Sequence, residues 1–363
     1  MKLRLDTSKA YAIALEGGGA KGAYEVGVWR ALDEADVRFD AVAGTSVGAL
    51  NGAMMVMGEL EQALRLWENI RFSQVFDADD EQLKKLYDHK LSEVDFRTLF
   101  KDVMEAIHEG GLDIEPLRRL IAEWVDEEKI RSSPKKLFLV TYSLTDKREL
   151  DMDADELEEG KLRDMLLASA YVPLFQRKKL DGKDYVDGSV HNIVPISSLL
   201  ERGYRDIIVI RIFGVGFEKR TRIPEDANII TVAPRERLGG VLQFDAAQSR
   251  RLLQLGYFDG LRMLYGLAGE KYYIDRQWSE TEAYFALQEL CRLFIKEETS
   301  SLRALNETIL PKLAKHLKVK DGGYYDLLTA LLERLAERQG ISPFRVRTEE
   351  MLLLEIAAKM KKK

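Results

Sequence analysis

The chain has 363 residues, enough for one large α/β domain with an appendage or for two ordinary domains. With 46% hydrophobic and 32% charged residues it carries ample material for a core, which excludes wholesale disorder. A net charge of −6 excludes a domain-wide basic field for nucleic acid, and one cysteine, Cys291, excludes an intramolecular disulfide framework or a Cys-cluster metal site. The four histidines (His89, His108, His191, His316) are scattered without zinc-ligand spacing. The N-terminal MKLRLDTSKA is charged and has no apolar core, so no secretory signal is expected, and neither end carries a lipidation pattern. These features lead to the expectation of a cytoplasmic protein.

In chain order, residues 11–16 (YAIALE) predict a buried strand that runs into the turn Gly17-Gly18-Gly19. After Gly22, the residues Val28, Ala31, Leu32 and Ala35 fall at helical spacing. FDAVAG (39–44) predicts a second buried strand, then a sharp turn and a helix from about residue 46. From Ala41 to Gly58 no charge occurs, close to the length that suggests a spanning helix. Its Gly44, Thr45, Ser46, Gly48, Asn51, Gly52 and Gly58 are too small and polar for lipid, and a buried helix under a crowded turn is expected instead.

Residues 59–130 read as mostly helical with polar faces, broken weakly around 76–80 and 109–111. KKLFLVTYS (135–143) predicts a strand with a hairpin partner near 148–152, and Leu162–Ala170 a helix. Asp181-Gly182-Lys183 forms a turn, YVDGSV ends a strand, and Pro195 opens a helix that closes at Gly203. Two more strands are read at 207–213 and 228–233. Strands alternating with helices predict a mostly parallel sheet.

From about residue 241 the pattern is almost wholly helical, the first long helix ending near Gly266. Three stripes at helical spacing read as packing faces: Leu287, Leu290, Cys291 and Phe294; Leu328, Leu331, Leu332 and Leu335; and Leu353, Ile356, Ala357 and Met360. Cys291 is therefore a core residue rather than a reactive thiol. A domain boundary is placed near 268–280. The terminal Lys359 and Lys361–Lys363 read as compensation of a helix dipole.

Gly44-Thr45-Ser46-Val47-Gly48 matches G-x-S-x-G, in which a strand turns at once into a helix and presents a serine hydroxyl at the tip. A serine there sits at a helix N-terminus, whose unpaired N–H groups favour developing negative charge. Gly17-Gly18-Gly19-Ala20-Lys21-Gly22 fits G-x-G-x-x-G, a dinucleotide-binding signature, but Asp40 stands at the start of the next strand rather than its end. A P-loop fails because no Lys-Ser/Thr pair follows Gly22. An anion hole made of glycine amides, with the charge of Lys21 beside it, fits better. Asp187-Gly188, at the end of a short strand, supplies an accessible carboxylate as base. Asp151, Asp153 and Asp155 mimic the start of a calcium loop, but Glu156 and Leu162 occupy its glycine and final glutamate positions.

With these residues in order the chain resembles the patatin-like phospholipases, whose signatures are a G-G-G-x-[RK]-G turn, a G-x-S-x-G elbow and a D-G-[GA] motif. Leu167–Pro173 (LASAYVP) is similar to the small-residue segment that precedes D-G in that family. The resemblance covers roughly residues 10–215. It implies an α/β, three-layer patatin-like fold with a mostly parallel central sheet, here followed by a helical C-terminal module. The expected division is a catalytic core over 10–215, the remaining strand and long helix over 216–268, and the helical module over 269–363.

The resemblance further implies a dyad of Ser46 as nucleophile and Asp187 as base, with Gly17, Gly18 and Gly19 as oxyanion hole. Lys21, Gly22, Gly44, Gly48 and Gly188 support the motifs. Ser189 departs from the family's Gly or Ala, and His191 reads as structural because the family needs no histidine. The implied activity is hydrolysis of lipid acyl esters, of phospholipase A or lysophospholipase type, without metal or cofactor. The substrate would be met at a membrane surface, by a peripheral protein with no transmembrane segment and no nucleic-acid partner. A thioesterase or acyltransferase with the same dyad, or a non-catalytic lipid-binding protein, are the alternatives. Oligomeric state is not readable from the sequence.

Overall fold

Strand β1 (Tyr11–Leu15) is buried along its whole length, as its unbroken apolar run requires of a central parallel strand. The structure is a computed structural model and describes residues 1–77, 111–176, 178–294, 301–320 and 322–361. The chain divides into two units, Leu5–Gly260 and Met1–Arg4 with Leu261–Lys363.

In the first unit β1 lies between β2 (Phe39–Thr45) and β6 (Asp206–Ile210), and β2 continues to β3 (Lys136–Ser143) and β6 to β7 (Asn228–Val232), all parallel. Two antiparallel strands, β4 (Arg148–Asp153) and β5 (Tyr185–Asp187), both pair with β3. The order among the described residues is β4-β3-β2-β1-β6-β7, with β5 off this path. Alternate side chains face opposite layers. Ala12, Ala14, Ala41, Ala43, Ile207 and Val209 pack against Leu199 and Leu200 of α7 (Ile196–Glu201). On the other face, α2 (Val47–Met57) lies so close that Gly52 abuts Val42 and Leu137. Helices on both faces make a three-layer α/β arrangement.

The other helices of this unit are α1 (Ala23–Glu34), α3 (Leu60–Asn69), α4 (Glu115–Trp124), α5 (Glu127–Ser132) and α6 (Leu162–Ser169), and α8 (Ala246–Tyr265) begins in it. The charge-free stretch 41–58 is thus the end of β2, the turn, and the buried α2 with its left-handed cap at Gly58. No described helix is long and apolar enough to cross a membrane. The helical reading of 59–130 holds where the chain is described, and its central part, 78–110, lies outside the described residues. The strand expected over 207–213 stops at Ile210, because the amides of Ile212, Phe213 and Gly214 turn away from the sheet to the Glu16 carboxylate.

The second unit is built on α9 (Glu280–Phe294), α10 (Leu310–Leu317), α11 (Tyr324–Arg338) and α12 (Glu349–Met360). Leu287, Leu290 and Cys291 meet Leu328, Leu332 and Leu335 in one apolar cluster, and burial pushes the Cys291 thiol pKa up. The side chain of Phe294 lies outside the described residues. On α12 the expected stripe holds in part: Ile356 is buried and Leu353 packs half-buried against the cluster, but Leu352 is buried beside them, and Ala357 and Met360 are exposed. A short parallel pair, β8 (Tyr273–Ile274) with β9 (Val346–Arg347), interrupts a region that the sequence reads as almost wholly helical. Lys359 lies in the last turn of α12, and Lys362 and Lys363 lie outside the described residues.

Candidate active site

The parallel strands end at one edge of the sheet, where ligands of open α/β sheets bind. β2 delivers Ser46 there with φ 56° and ψ −126°, a left-handed conformation that costs a non-glycine residue energy and turns strand into helix in one step. The flanking glycines permit the turn. A Cβ on Gly44 would stand 2.2 Å from the Gly48 carbonyl oxygen, and one on Gly48 would stand 2.6 Å from that of Leu15. Nothing but hydrogen fits at either place.

Asp187 comes from β5, in register with Thr141 of β3, and its own amide donates to the Tyr171 carbonyl at 2.8 Å. Ser46 Oγ donates to Asp187 Oδ2 at 2.6 Å, and the Ser189 amide donates to Asp187 Oδ1 at 2.8 Å. Both partners are enclosed, Ser46 at 5% and Asp187 at 3% exposure. Burial pushes the Asp187 carboxyl pKa above its ordinary value, opposed by the bonds from Ser46, the Ser189 amide and the Ser189 hydroxyl. A weak acid–base group thereby moves toward the range where it can accept a proton at neutral pH.

The glycine turn follows β1 and lies beside the serine. Gly17 donates its amide to the Ile193 carbonyl at 3.0 Å, so that amide is committed to the fold. Gly18 and Gly19 line the same cavity as Ser46 and Asp187. Gly19 has φ 57°, and a Cβ there would strike the Val241 carbonyl oxygen at 2.2 Å. Lys21 points elsewhere than its motif suggests: its ammonium donates to the Phe213 carbonyl, and burial lowers its pKa. It is absent from the cavity wall and ties down the loop after β6 instead. Gly22 packs under Val47, and Gly188 against the Val140 carbonyl.

Three polar residues carry roles that sequence motifs do not reveal. The Ser169 hydroxyl accepts from the Ser46 amide at 2.9 Å and donates to the Val140 carbonyl at 2.7 Å, fixing the elbow from below. Its segment, LASAYVP, is recognisable but says nothing of this contact. Buried Glu16 accepts from Ile212, Phe213 and Gly214 amides at 2.7–3.1 Å and from Arg211 Nε at 2.9 Å. Asn51 donates to Glu25 at 2.7 Å and accepts from Trp67 at 3.0 Å, clamping α1, α2 and α3 together, and burial drives the Glu25 carboxyl pKa well up.

His191 pairs with Glu149 and stacks on Tyr142, with ring centroids 5.8 Å apart, and is not part of the cavity wall. Asp151, Asp153 and Asp155 are engaged by Arg202, the Asp155 amide and Lys136, respectively. Among the described residues no cluster of His, Cys, Asp or Glu could hold a metal ion.

The cavity above Ser46 has a volume of about 400 Å³, in the range of small-molecule sites. Its wall is apolar: Met54, Leu66, Leu117, Phe175, Leu242 and Phe244 are among the contributors. Phe244 and Phe76 interlock, with ring centroids 5.9 Å apart. The site thus brings a serine hydroxyl, a buried carboxylate and a glycine turn to the wall of an apolar cavity.

A family model described as Patatin-like phospholipase matches residues 13–200. Mouse "Patatin-like phospholipase domain-containing protein 7" is 49% identical over 51 residues, 14% of this chain and 4% of that protein. "Lysophospholipase nte1" of Aspergillus terreus is 48% identical over 46 residues, 13% of this chain and 3% of that one. The chain thus matches a small fraction of the length of these curated relatives. Among solved structures, VipD from Legionella pneumophila is similar over 97% of this chain and 87% of that one, at 14% identity and a TM-score of 0.45.

Proposed function

The chain belongs to the patatin-like phospholipase family, and on that premise we propose that it hydrolyses lipid acyl esters by a Ser46–Asp187 dyad through an acyl-enzyme. The observation that carries this reading is the 2.6 Å bond from Ser46 Oγ to Asp187 Oδ2 at the base of an apolar cavity. Ser46 Oγ attacks the ester carbonyl carbon while Asp187 takes the hydroxyl proton. The carbonyl oxygen becomes an oxyanion facing the Gly18 and Gly19 amides. Removal of one such donor typically costs about 10²–10³ in rate. The tetrahedral adduct collapses, the alcohol leaves with the proton from Asp187, and the acyl chain stays on Ser46. Water then gives its proton to Asp187, attacks the acyl carbon, and the free acid departs as Ser46 recovers its proton.

The apolar wall supports an acyl chain as the recognised part, in keeping with a substrate of the phospholipase A or lysophospholipase class. Residues 10–215 hold all the reacting groups and form the proposed catalytic core. The test is a side-by-side rate measurement on a phospholipid, a lysophospholipid and an acyl-CoA with wild type and Ser46→Ala. The two phospholipids should lead, and the variant should be inactive. Preference for the thioester would make the protein a thioesterase. No turnover of any ester would leave a lipid-binding role.

A further inference from the structure

We propose that the protein docks on anionic lipid bilayers through the loop after β6, with Phe213, Val215, Phe217 and Ile223 as the apolar contact and Arg220 and Arg222 as the charged one. The inference rests on the lipid-hydrolysis reading and names the surface that brings that site to its substrate.

Phe213, Val215 and Phe217 are 53%, 55% and 59% exposed, with Ile223 and Val190 close behind. Large apolar side chains gathered on one loop mark an interaction site when they are held out in water rather than scattered over the surface. Here they are held out by construction. The Glu16 carboxylate takes the amides of Ile212, Phe213 and Gly214, and Lys21 takes the Phe213 carbonyl. Phe213 has φ 47°, a conformation that an aromatic residue adopts at a cost, so the fold maintains strain to keep this ring at the surface. Farther along, the Phe217 amide donates to the Ser189 carbonyl at 2.7 Å, and Ile193 donates to the Phe217 carbonyl at 2.8 Å. The loop is therefore anchored to the turn that carries Asp187.

Two features select a bilayer as occupant. Val190 and Val215 are exposed and also line the Ser46 cavity, so two of these apolar side chains stand at the site itself. The segment 211–223 also carries four cations against one glutamate in a chain of net charge −6. Arg211 pairs with Glu16 and Glu218, and Lys219 with Glu149, whereas Arg220 and Arg222 are exposed on the same loop. Apolar side chains flanked by arginines are what an anionic membrane surface attracts.

The test is co-sedimentation of the full chain with phosphatidylcholine vesicles with and without phosphatidylglycerol, alongside hydrolysis of a soluble short-chain ester. Arg220→Gln with Arg222→Gln should weaken binding to the anionic vesicles about thirtyfold, at about 1 kcal/mol per cation, and change nothing on neutral ones. Phe217→Ser with Ile223→Ser should weaken binding to anionic vesicles at least tenfold. Both double variants should keep the soluble-ester rate, which also shows that they fold. Vesicle binding by either double variant equal to wild type would overturn the proposal. So would failure of the wild type to bind vesicles, accompanied by a dimer that the Phe217/Ile223 variant dissociates, since the face would then belong to a second copy. If the wild type binds vesicles as described but cleaves no ester, the docking surface stands and the hydrolase reading falls.

Discussion

Replacing Asp187 by Asn should destroy activity and stabilise the fold at the same pH. The asparagine is isosteric: its oxygen can still accept from the Ser189 amide, and its amide can donate to Ser46 Oγ, so the 2.6–2.8 Å contacts survive. What disappears is the base. General-base catalysis is worth about 10²–10⁴ in rate, or about 3–5 kcal/mol of barrier, and kcat should fall by that factor.

The effect on stability has the opposite sign. Burial raises the Asp187 pKa in the folded protein above that of the unfolded chain, so the native state holds this proton more tightly. The stabilising contribution of the protonated carboxyl is complete below the unfolded pKa and is lost as pH rises through the folded value. Once it ionises, Asp187 is a buried carboxylate that the variant lacks. Relief of such a functional strain commonly yields about 0.5–2 kcal/mol, and about 2–4 °C in Tm accompanies each kcal/mol in a domain of this size. Thermal melts of both proteins from pH 4 to 8 read this directly, with the variant's advantage growing toward high pH. A variant less stable than wild type at pH 8, or a difference that ignores pH, would refute the claim that Asp187 is a desolvated base.

Gly48→Ala should be harmful even though alanine is the better helix former by about 1 kcal/mol. The new Cβ meets the Leu15 carbonyl oxygen at 2.6 Å, backbone that cannot swing aside, so α2 must lift and Ser46 with it; a net loss of about 1–3 kcal/mol and of most turnover is expected in melts and ester assays. Ser189→Ala removes a hydroxyl that favours the ionised Asp187, so the acidic limb of kcat/KM should move to higher pH, and an unmoved limb would show that the hydroxyl plays no part. His191→Ala should cost less than about tenfold, or about 1.4 kcal/mol, because the ring is engaged with Glu149 and Tyr142 away from the cavity. A loss as deep as that of Ser46→Ala would make the dyad a triad.

The elements nearest the site are the most readable in the sequence because their constraints are local. β1 and β2 are apolar runs that end in glycines, and each glycine of G-T-S-V-G answers a backbone contact within four residues or on the next strand. What stays hidden depends on partners far along the chain. Glu16 looks like the last residue of a strand, yet its carboxylate organises amides some 196 residues later. For the same reason the run 207–213 reads as one strand although its last residues serve that carboxylate. Lys21 sits in an anion-hole motif, but its long side chain crosses to the Phe213 carbonyl. On α12 the sequence omits buried Leu352 and includes exposed Ala357 and Met360, because Leu352, Leu353 and Leu354 are all apolar and periodicity alone does not choose among them. Gly17 fits the motif, and only the Ile193 carbonyl reveals that its amide is already used.

Acylation of Ser46 is the step on which every other catalytic assignment depends. Incubation with a fluorophosphonate followed by peptide mass mapping tests it most directly. The expected result is one adduct per chain, on Ser46, with ester hydrolysis lost in proportion to labelling and no adduct in Ser46→Ala. An adduct on another residue, or ester hydrolysis that persists in a fully labelled protein, would contradict it.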